Sequence, residues 1–315
     1  MRTIIGLAIA ACLAVSAAAA QDSSPRFESG VDLVGLNVVV TDPRGQFVSG
    51  LSSSDFTVFE EGVEQDISFF AVVPAPIDLA LMLDTSASMT DKISTVQQAA
   101  INFTSVVRPG DRISIVEIKD AVKIVHPLDE DVPSARRAIG ATIARGNTSL
   151  YNGLYMMLRE LMRLRETEGE VRRQAIVVLS DGEDTTSLVT FDDVMDLAKH
   201  AGVAIYTISL RTSLASSNFY MRNSRHQAES GFAMRSLAQE TGARAFFPAS
   251  IQELAGVYDM IADELANQYS VGYVPKNPVR DGSYRHINVR IGRSGLSART
   301  RTGYIATPSA TSASR

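Results

Sequence analysis

The chain has 315 residues, 45% of them hydrophobic and 21% charged, with a formal net charge of −5. This length accommodates two domains, and the composition excludes a wholly disordered chain, while the mild acidity excludes a global nucleic-acid footprint. A single cysteine, Cys12, excludes a disulfide scaffold and a multi-cysteine zinc site, and the four histidines, His126, His200, His226 and His286, form no pair at helical spacing.

The first twenty residues read as a secretory signal peptide (1–20). Arg2 gives a positive start, Ile4 to Val15 is almost all apolar, and Ala18-Ala19-Ala20 is a small-residue cleavage site. The apolar run is too short for a spanning helix. Ile9-Ala10-Ala11-Cys12 also resembles a bacterial lipobox, which would make Cys12 a lipid anchor. No later segment reaches membrane-spanning length. The expected location is therefore secreted or periplasmic.

Residues 26–75 look all-β. Val34, Leu36, Val38 and Val40 recur with a period of two, Asp42-Pro43-Arg44-Gly45 is a turn, and Phe56–Phe59 and Ile67–Phe70 flank a glycine-bearing loop. This stretch is too short to make a stable sandwich alone.

Residues 76–268 alternate strands with helices. Leu79–Leu83, Ile113–Ile118, Ile176–Leu179, Val203–Ser209 and Ala245–Phe247 are nearly continuous apolar runs, as strands buried on both faces require. Between them, apolar residues recur at three and four: Ile93 to Val107, Leu150 to Leu164, and a last helix over Ile251–Gln268. Gly202 and Gly242 fall where helix C-caps are expected. Such alternation predicts an α/β fold with a doubly wound, mostly parallel sheet.

Residues 269–306 return to β, with Tyr269, Val271 and Tyr273 and then Ile287, Val289 and Ile291 alternating about an Asp281-Gly282 turn. They are expected to pair with residues 26–75 into a small flanking sandwich, the α/β domain lying between them in sequence. Two separate β appendages are the alternative. A Ser/Thr/Ala-rich tail (307–315) reads as disordered.

The chemistry-bearing residues follow the buried strands. Leu83 runs into Asp84-Thr85-Ser86-Ala87-Ser88, Gly146-Asn147-Thr148-Ser149 precedes a helix, and Ser180-Asp181-Gly182-Glu183-Asp184 follows Ile176–Leu179. In a doubly wound sheet all three loops reach one edge, outside the carboxyl ends of the strands. They bring only carboxylates and hydroxyls, hard oxygen donors suited to Mg2+, Mn2+ or Ca2+ rather than zinc or copper.

These residues resemble a von Willebrand factor type A domain with a metal-ion-dependent adhesion site. Asp84, Ser86 and Ser88 match the first loop of that motif, Thr148 the second and Asp181 the third. The flanking Phe56–Gly62 and Tyr269–Tyr273 segments are similar to bacterial exported proteins that carry such a domain between short β regions. The resemblance implies a Rossmann-like fold and a cation, Mg2+ or otherwise Mn2+ or Ca2+, held by the serines, with the threonine joining on ligand binding and the aspartates acting through water. It implies a non-enzymatic adhesion module that takes an Asp or Glu of a protein partner as the cation's last ligand, with movement of the last helix. A structural role for the metal is the alternative, and a metal-dependent hydrolase the third reading.

No Gly-x-Ser-x-Gly elbow and no phosphate-binding Gly-x-x-x-x-Gly-Lys loop is present. Glu183 and Asp184 read as loop acids or hydrogen-bond acceptors around Asp181. Asn152 reads either as a brace for the second loop or as an exposed helix residue. Residues 211–230, with Arg211, Tyr220, Arg222, Arg225 and His226, read as a long loop that is either a specificity element or a mobile insertion.

Overall fold

The computed structural model describes residues 33–73, 75–168, 172–180, 184–210 and 220–307, with only the backbone of 220–228. The expected signal peptide, Cys12, Asp181, Glu183, Arg211 and the tail from 308 lie outside the described residues, as do the side chains of Tyr220, Arg222, Arg225 and His226.

The chain begins with β1 (Val34–Thr41), β2 (Phe56–Glu60), β3 (Val63–Gln65) and β4 (Ile67–Ala71). It continues through β5 (Ile77–Asp84), α1 (Ile93–Phe103), β6 (Arg112–Ile118), β7 (Lys123–Asp129), α2 (Val132–Gly140) and α3 (Leu150–Glu168). Next come β8 (Arg173–Ser180), α4 (Phe191–Ala201), β9 (Ala204–Ser209), α5 (Tyr220–Glu240), β10 (Ala245–Phe246) and α6 (Leu254–Ala266). The last elements are β11 (Gln268–Tyr273), β12 (Tyr284–Ile291), β13 (Ser297–Arg299) and β14 (Gly303–Ile305).

The central sheet has the order β10-β9-β8-β5-β6-β7, parallel except for the edge strand β7. Strands β5 and β8 are buried at every position, which explains their unbroken apolar sequences. Alternate residues feed two cores. Leu79, Leu81 and Leu83 pack with α1, α2 and α6, while Ala80 and Met82 pack with α3, α4 and α5. The sheet is thus covered on both faces, the doubly wound arrangement read from the alternation of elements.

The flanking β segments form one sandwich, as the alternation of their apolar residues predicts. One sheet has the order β13-β1-β11-β4 and the other β14-β12-β2-β3. Strand β1 lies antiparallel to β11 with Leu36 opposite Val271, and β12 lies antiparallel to β2 with Val289 opposite Val58. Neither segment closes a core alone; together they bury Val38, Val40, Phe56, Val58, Tyr269, Val271 and Tyr273. The Phe56 and Tyr269 rings, one from each segment, lie 5.1 Å apart.

Three details differ from the sequence reading. Helix α1 ends at Phe103, not Val107: a 3-10 turn over Thr104–Val106 follows, and Val107 is extended two residues before Pro109. Proline disfavours helical geometry just before it and cannot donate to a helix. The last helix starts at Leu254 after a 3-10 turn and stops at Ala266, because Gln268 already pairs in β11. The segment read as a loop to Ser230 is helical from Tyr220 onward. Residues 220–228 read Tyr-Met-Arg-Asn-Ser-Arg-His-Gln-Ala, a sequence with no apolar stripe, whereas Ala233, Met234, Leu237 and Ala238 further on are buried.

Candidate functional site at the carboxyl edge of the sheet

In the central sheet β5 has β6 on one side and β8 on the other, so the chain reverses its direction of winding between β5 and β8. Ligand crevices in open α/β sheets form at that switch point, outside the carboxyl ends of the strands. Asp84 is the last residue of β5 and Ser180 the last of β8.

Asp84 is fully buried. Its Oδ1 accepts the backbone N–H of Ser86 at 2.9 Å, and its Oδ2 accepts the Ser180 hydroxyl at 2.7 Å. A buried carboxylate survives only with such donors. The Ser86 and Ser88 hydroxyl oxygens stand 3.0 Å apart. Ser86 leads into a 3-10 turn over Ala87–Met89, anchored by the buried Met89. Asp84, Ser86 and Ser88 therefore form one cluster. Backbone bonds hold it in register: Thr85 N–H donates to Ile118 O at 3.0 Å and Arg145 N–H to Thr85 O at 2.8 Å.

The second loop is tied to the first by the Ala87 N–H, which donates to Gly146 O at 2.9 Å. Gly146 has φ of 76°, and a Cβ there would strike the Asp120 carboxylate, so only glycine fits. That carboxylate accepts Asn147 N–H at 2.8 Å and Asn147 Nδ2 at 2.9 Å. Thr148 is buried. Its N–H donates to Thr185 Oγ1 at 3.1 Å, and its carbonyl accepts Thr185 N–H at 3.0 Å and Thr186 N–H at 3.2 Å.

The third loop therefore braces the second. Asp184 accepts Leu150 N–H at 2.9 Å and the Ser187 hydroxyl at 2.8 Å. It acts as a charge at the first turn of α3, where free N–H groups favour an anion. Burial pushes its carboxyl above the usual range, against the pull of those hydrogen bonds. Asn152 Oδ1 accepts Leu188 N–H at 3.0 Å and Val189 N–H at 3.3 Å, so its side chain is a brace, but for the segment after the third loop rather than for the second loop. Ser149 and Thr186 hydroxyls lie 2.7 Å apart.

The structure thus brings Asp84, Ser86 and Ser88 into direct contact and places Thr148 on a loop bonded to both neighbours. Asp181 lies outside the described residues. The sequence reading included Ser180 in its third run without giving it a role, and it missed Asp120, Thr185 and Thr186. Ser180 was within reach, since it closes the strand beside the one that ends in Asp84. The other three carry no local signal, because their roles depend on which loops meet.

The donor chemistry fits a hard divalent cation. The cluster offers hydroxyl and carboxylate oxygens and neither nitrogen nor sulfur. Among the described residues no three His, Cys, Asp or Glu side chains gather into an alternative metal cluster.

Comparison with known proteins agrees with this architecture. The sequence pattern of the family described as "von Willebrand factor type A domain" matches residues 79–183. A UPF0353 protein of Mycolicibacterium paratuberculosis is 23% identical over 239 residues, 70% of each chain. The solved structure of a von Willebrand factor type A protein from Catenulispora acidiphila superimposes with a TM-score of 0.50 at 10% identity, covering 92% of this chain and 78% of that one. The mussel byssus proximal thread matrix protein 1, solved with a zinc-occupied adhesion motif, is 15% identical with a TM-score of 0.45, covering 62% of this chain and 49% of that one, so the match spans about half of that protein. Residues 79–183 match the family pattern and the fold around them is the family's fold: the chain carries a von Willebrand factor type A domain.

Proposed function

We propose that this is an exported, non-enzymatic protein-binding module that captures an Asp or Glu side chain of a protein partner through a divalent cation. Asp84, Ser86, Ser88, Thr148 and Asp181 would hold the cation, with Mg2+ the first candidate and Mn2+ or Ca2+ the alternatives. The observation that carries the reading is the buried Asp84 carboxylate, oriented by Ser86 N–H and Ser180, beside paired Ser86 and Ser88 hydroxyls.

Neutral hydroxyls dominate the donors of the first loop. A cation held mainly by neutral oxygens supplies a strongly electrophilic position for an incoming carboxylate. The protein's part is orientation: backbone bonds hold the first loop against the second, and the second against Thr185 and Thr186, before a partner arrives, so less ordering remains to be done on binding. The same geometry favours binding over hydrolysis. Asp84 is engaged at both oxygens, and among the described residues no histidine touches the cluster to serve as a general base.

The N-terminal sequence supports export, and no helix of the described residues is long and apolar enough to cross a membrane. The test is affinity capture from an envelope extract with the full mature chain, in Mg2+ and in parallel with EDTA. The expected result is a set of proteins retained only with Mg2+ and lost with Ser86→Ala. The same set in both conditions overturns the proposal.

A further inference from the structure

A second cavity, of about 820 Å3, lies at the opposite edge of the central sheet, where the α/β domain meets the sandwich. Its walls come from Ala75, just before β5, from the start of β8, from Gly202, before β9, and from β1, β11 and β14. Six arginines line it: Arg165, Arg172, Arg173, Arg280, Arg285 and Arg301. Among the described residues no Asp or Glu lines it, in a chain whose net charge is −5.

Local ion pairs do not neutralise this wall. Arg172 is paired with Asp78 at 2.7 Å and Arg285 with Glu60 at 3.0 Å. Arg165, Arg173 and Arg301 have no carboxylate within ion-pair distance among the described residues. Arg173, itself buried, donates only to neutral acceptors: Ala75 O at 2.8 Å, Leu265 O at 2.7 Å and Gln268 Oε1 at 2.8 Å. Arg165 donates to Ala201 O at 2.6 Å and Arg301 to Gly35 O at 3.0 Å. Desolvation pushes the Arg173 guanidinium down to about 10. It also lowers that of Arg301, to which Arg165 adds like-charge repulsion.

Uncompensated guanidiniums around one space are costly, and each offers a planar fork matched to an oxyanion. The rest of the lining is mixed, with Leu36, Phe69, Val271 and Val279 as its apolar part and Asn37, Gln174, His200, Ser270 and Asn277 among its polar residues. The volume is that of a small-molecule site. We infer that this cavity binds a small organic oxyanion carrying more than one carboxylate or phosphate group, its charges on Arg165, Arg173 and Arg301 and its carbon skeleton against the apolar part of the lining. Such a ligand would bridge the two domains, because its anchors come from α3 and β8 on one side and from the β13–β14 connection on the other.

The test uses the full mature chain without divalent cations, so that chelation plays no part. Thermal unfolding and calorimetric titration are run with citrate, with inorganic pyrophosphate, and with sodium chloride at matched ionic strength. The expected result is saturable one-site binding that raises Tm by several degrees with citrate or pyrophosphate and not with chloride. A stronger response to citrate assigns a polycarboxylate; a stronger response to pyrophosphate assigns a phosphate compound. Arg165→Gln and Arg301→Gln should each weaken binding about tenfold or more. Should Arg301→Gln fail to fold, Arg165→Gln alone decides, its side chain being the more exposed. A response no larger than that of chloride, or binding unchanged in the folded variants, overturns the inference.

Discussion

The Ser180 hydroxyl donates to Asp84 Oδ2 at 2.7 Å, joining the last residues of two neighbouring parallel strands. This bond crosses the switch point of the sheet and holds the buried carboxylate against β8. Ser180→Ala removes a donor from a fully buried acceptor. Leaving such a group short of a partner costs about 1–3 kcal/mol. The expected outcome is a lower Tm without metal, partly restored by saturating Mg2+ if the cation shares the same carboxylate. Thermal denaturation with and without Mg2+ checks this.

Ser86→Ala separates metal binding from folding. The Ser86 backbone N–H still supports Asp84, and only the hydroxyl beside Ser88 is lost. Mg2+ affinity should fall about tenfold or more, near 1.4 kcal/mol, with a small change in metal-free stability. Isothermal titration of wild type and variant reads both quantities. Unchanged affinity would remove Ser86 from the ligand set.

Asn152→Ala tests the brace between α3 and the segment after the third loop. It strips an acceptor from the N–H groups of Leu188 and Val189. Faster hydrogen exchange at 185–189 is expected, with a stability loss of about 1 kcal/mol. Metal affinity should weaken through loss of order around Thr148. If exchange at 185–189 is unaltered, the loop is held by other means.

The sandwich contains a buried ion pair, Arg285 with Glu60, at 3.0 Å. Tyr273 and Tyr304 hydroxyls also donate to Glu60, at 2.8 and 3.0 Å. Arg285→Met leaves a buried carboxylate without its cation, at a cost of about 3–5 kcal/mol. The double change Arg285→Met with Glu60→Gln should recover much of that loss. Denaturant unfolding of the three proteins measures the coupling.

Acid sensitivity should include one identifiable contribution. The Arg293 guanidinium, bonded to Asp55 at 2.8 and 2.9 Å, together with the Ser52 N–H, lowers the Asp55 pKa from 3.8 to about 2. A carboxyl depressed in the folded state stabilises it above the unfolded value of 3.8 and loses that effect as pH falls to about 2. Arg293→Gln should flatten the fall of Tm between these limits and leave the slope near neutrality alone. Melting curves across an acid pH series decide.

The sequence by itself determined the strand–helix alternation and the two-faced burial of β5 and β8. Each is a one-dimensional pattern, written in apolar periodicity. It also set short polar runs directly after buried strands or before a helix, and the resemblance to a von Willebrand factor type A domain, rather than that pattern, singled out Asp84, Ser86, Ser88, Thr148 and Asp181.

Only the tertiary structure decided which groups face one another. Ser180 and Asp84 are 96 residues apart and meet because β8 returns beside β5. Asp120 fixes Gly146, and Thr185 and Thr186 clamp Thr148, through contacts between loops that no local pattern encodes. The first half of α5 and the antiparallel edge strand β7 were illegible because neither carries a strong apolar stripe in its sequence. The arginine-lined cavity is the plainest case. Its six guanidiniums are scattered from Arg165 to Arg301, and only the docking of the sandwich on the sheet makes them one charged surface.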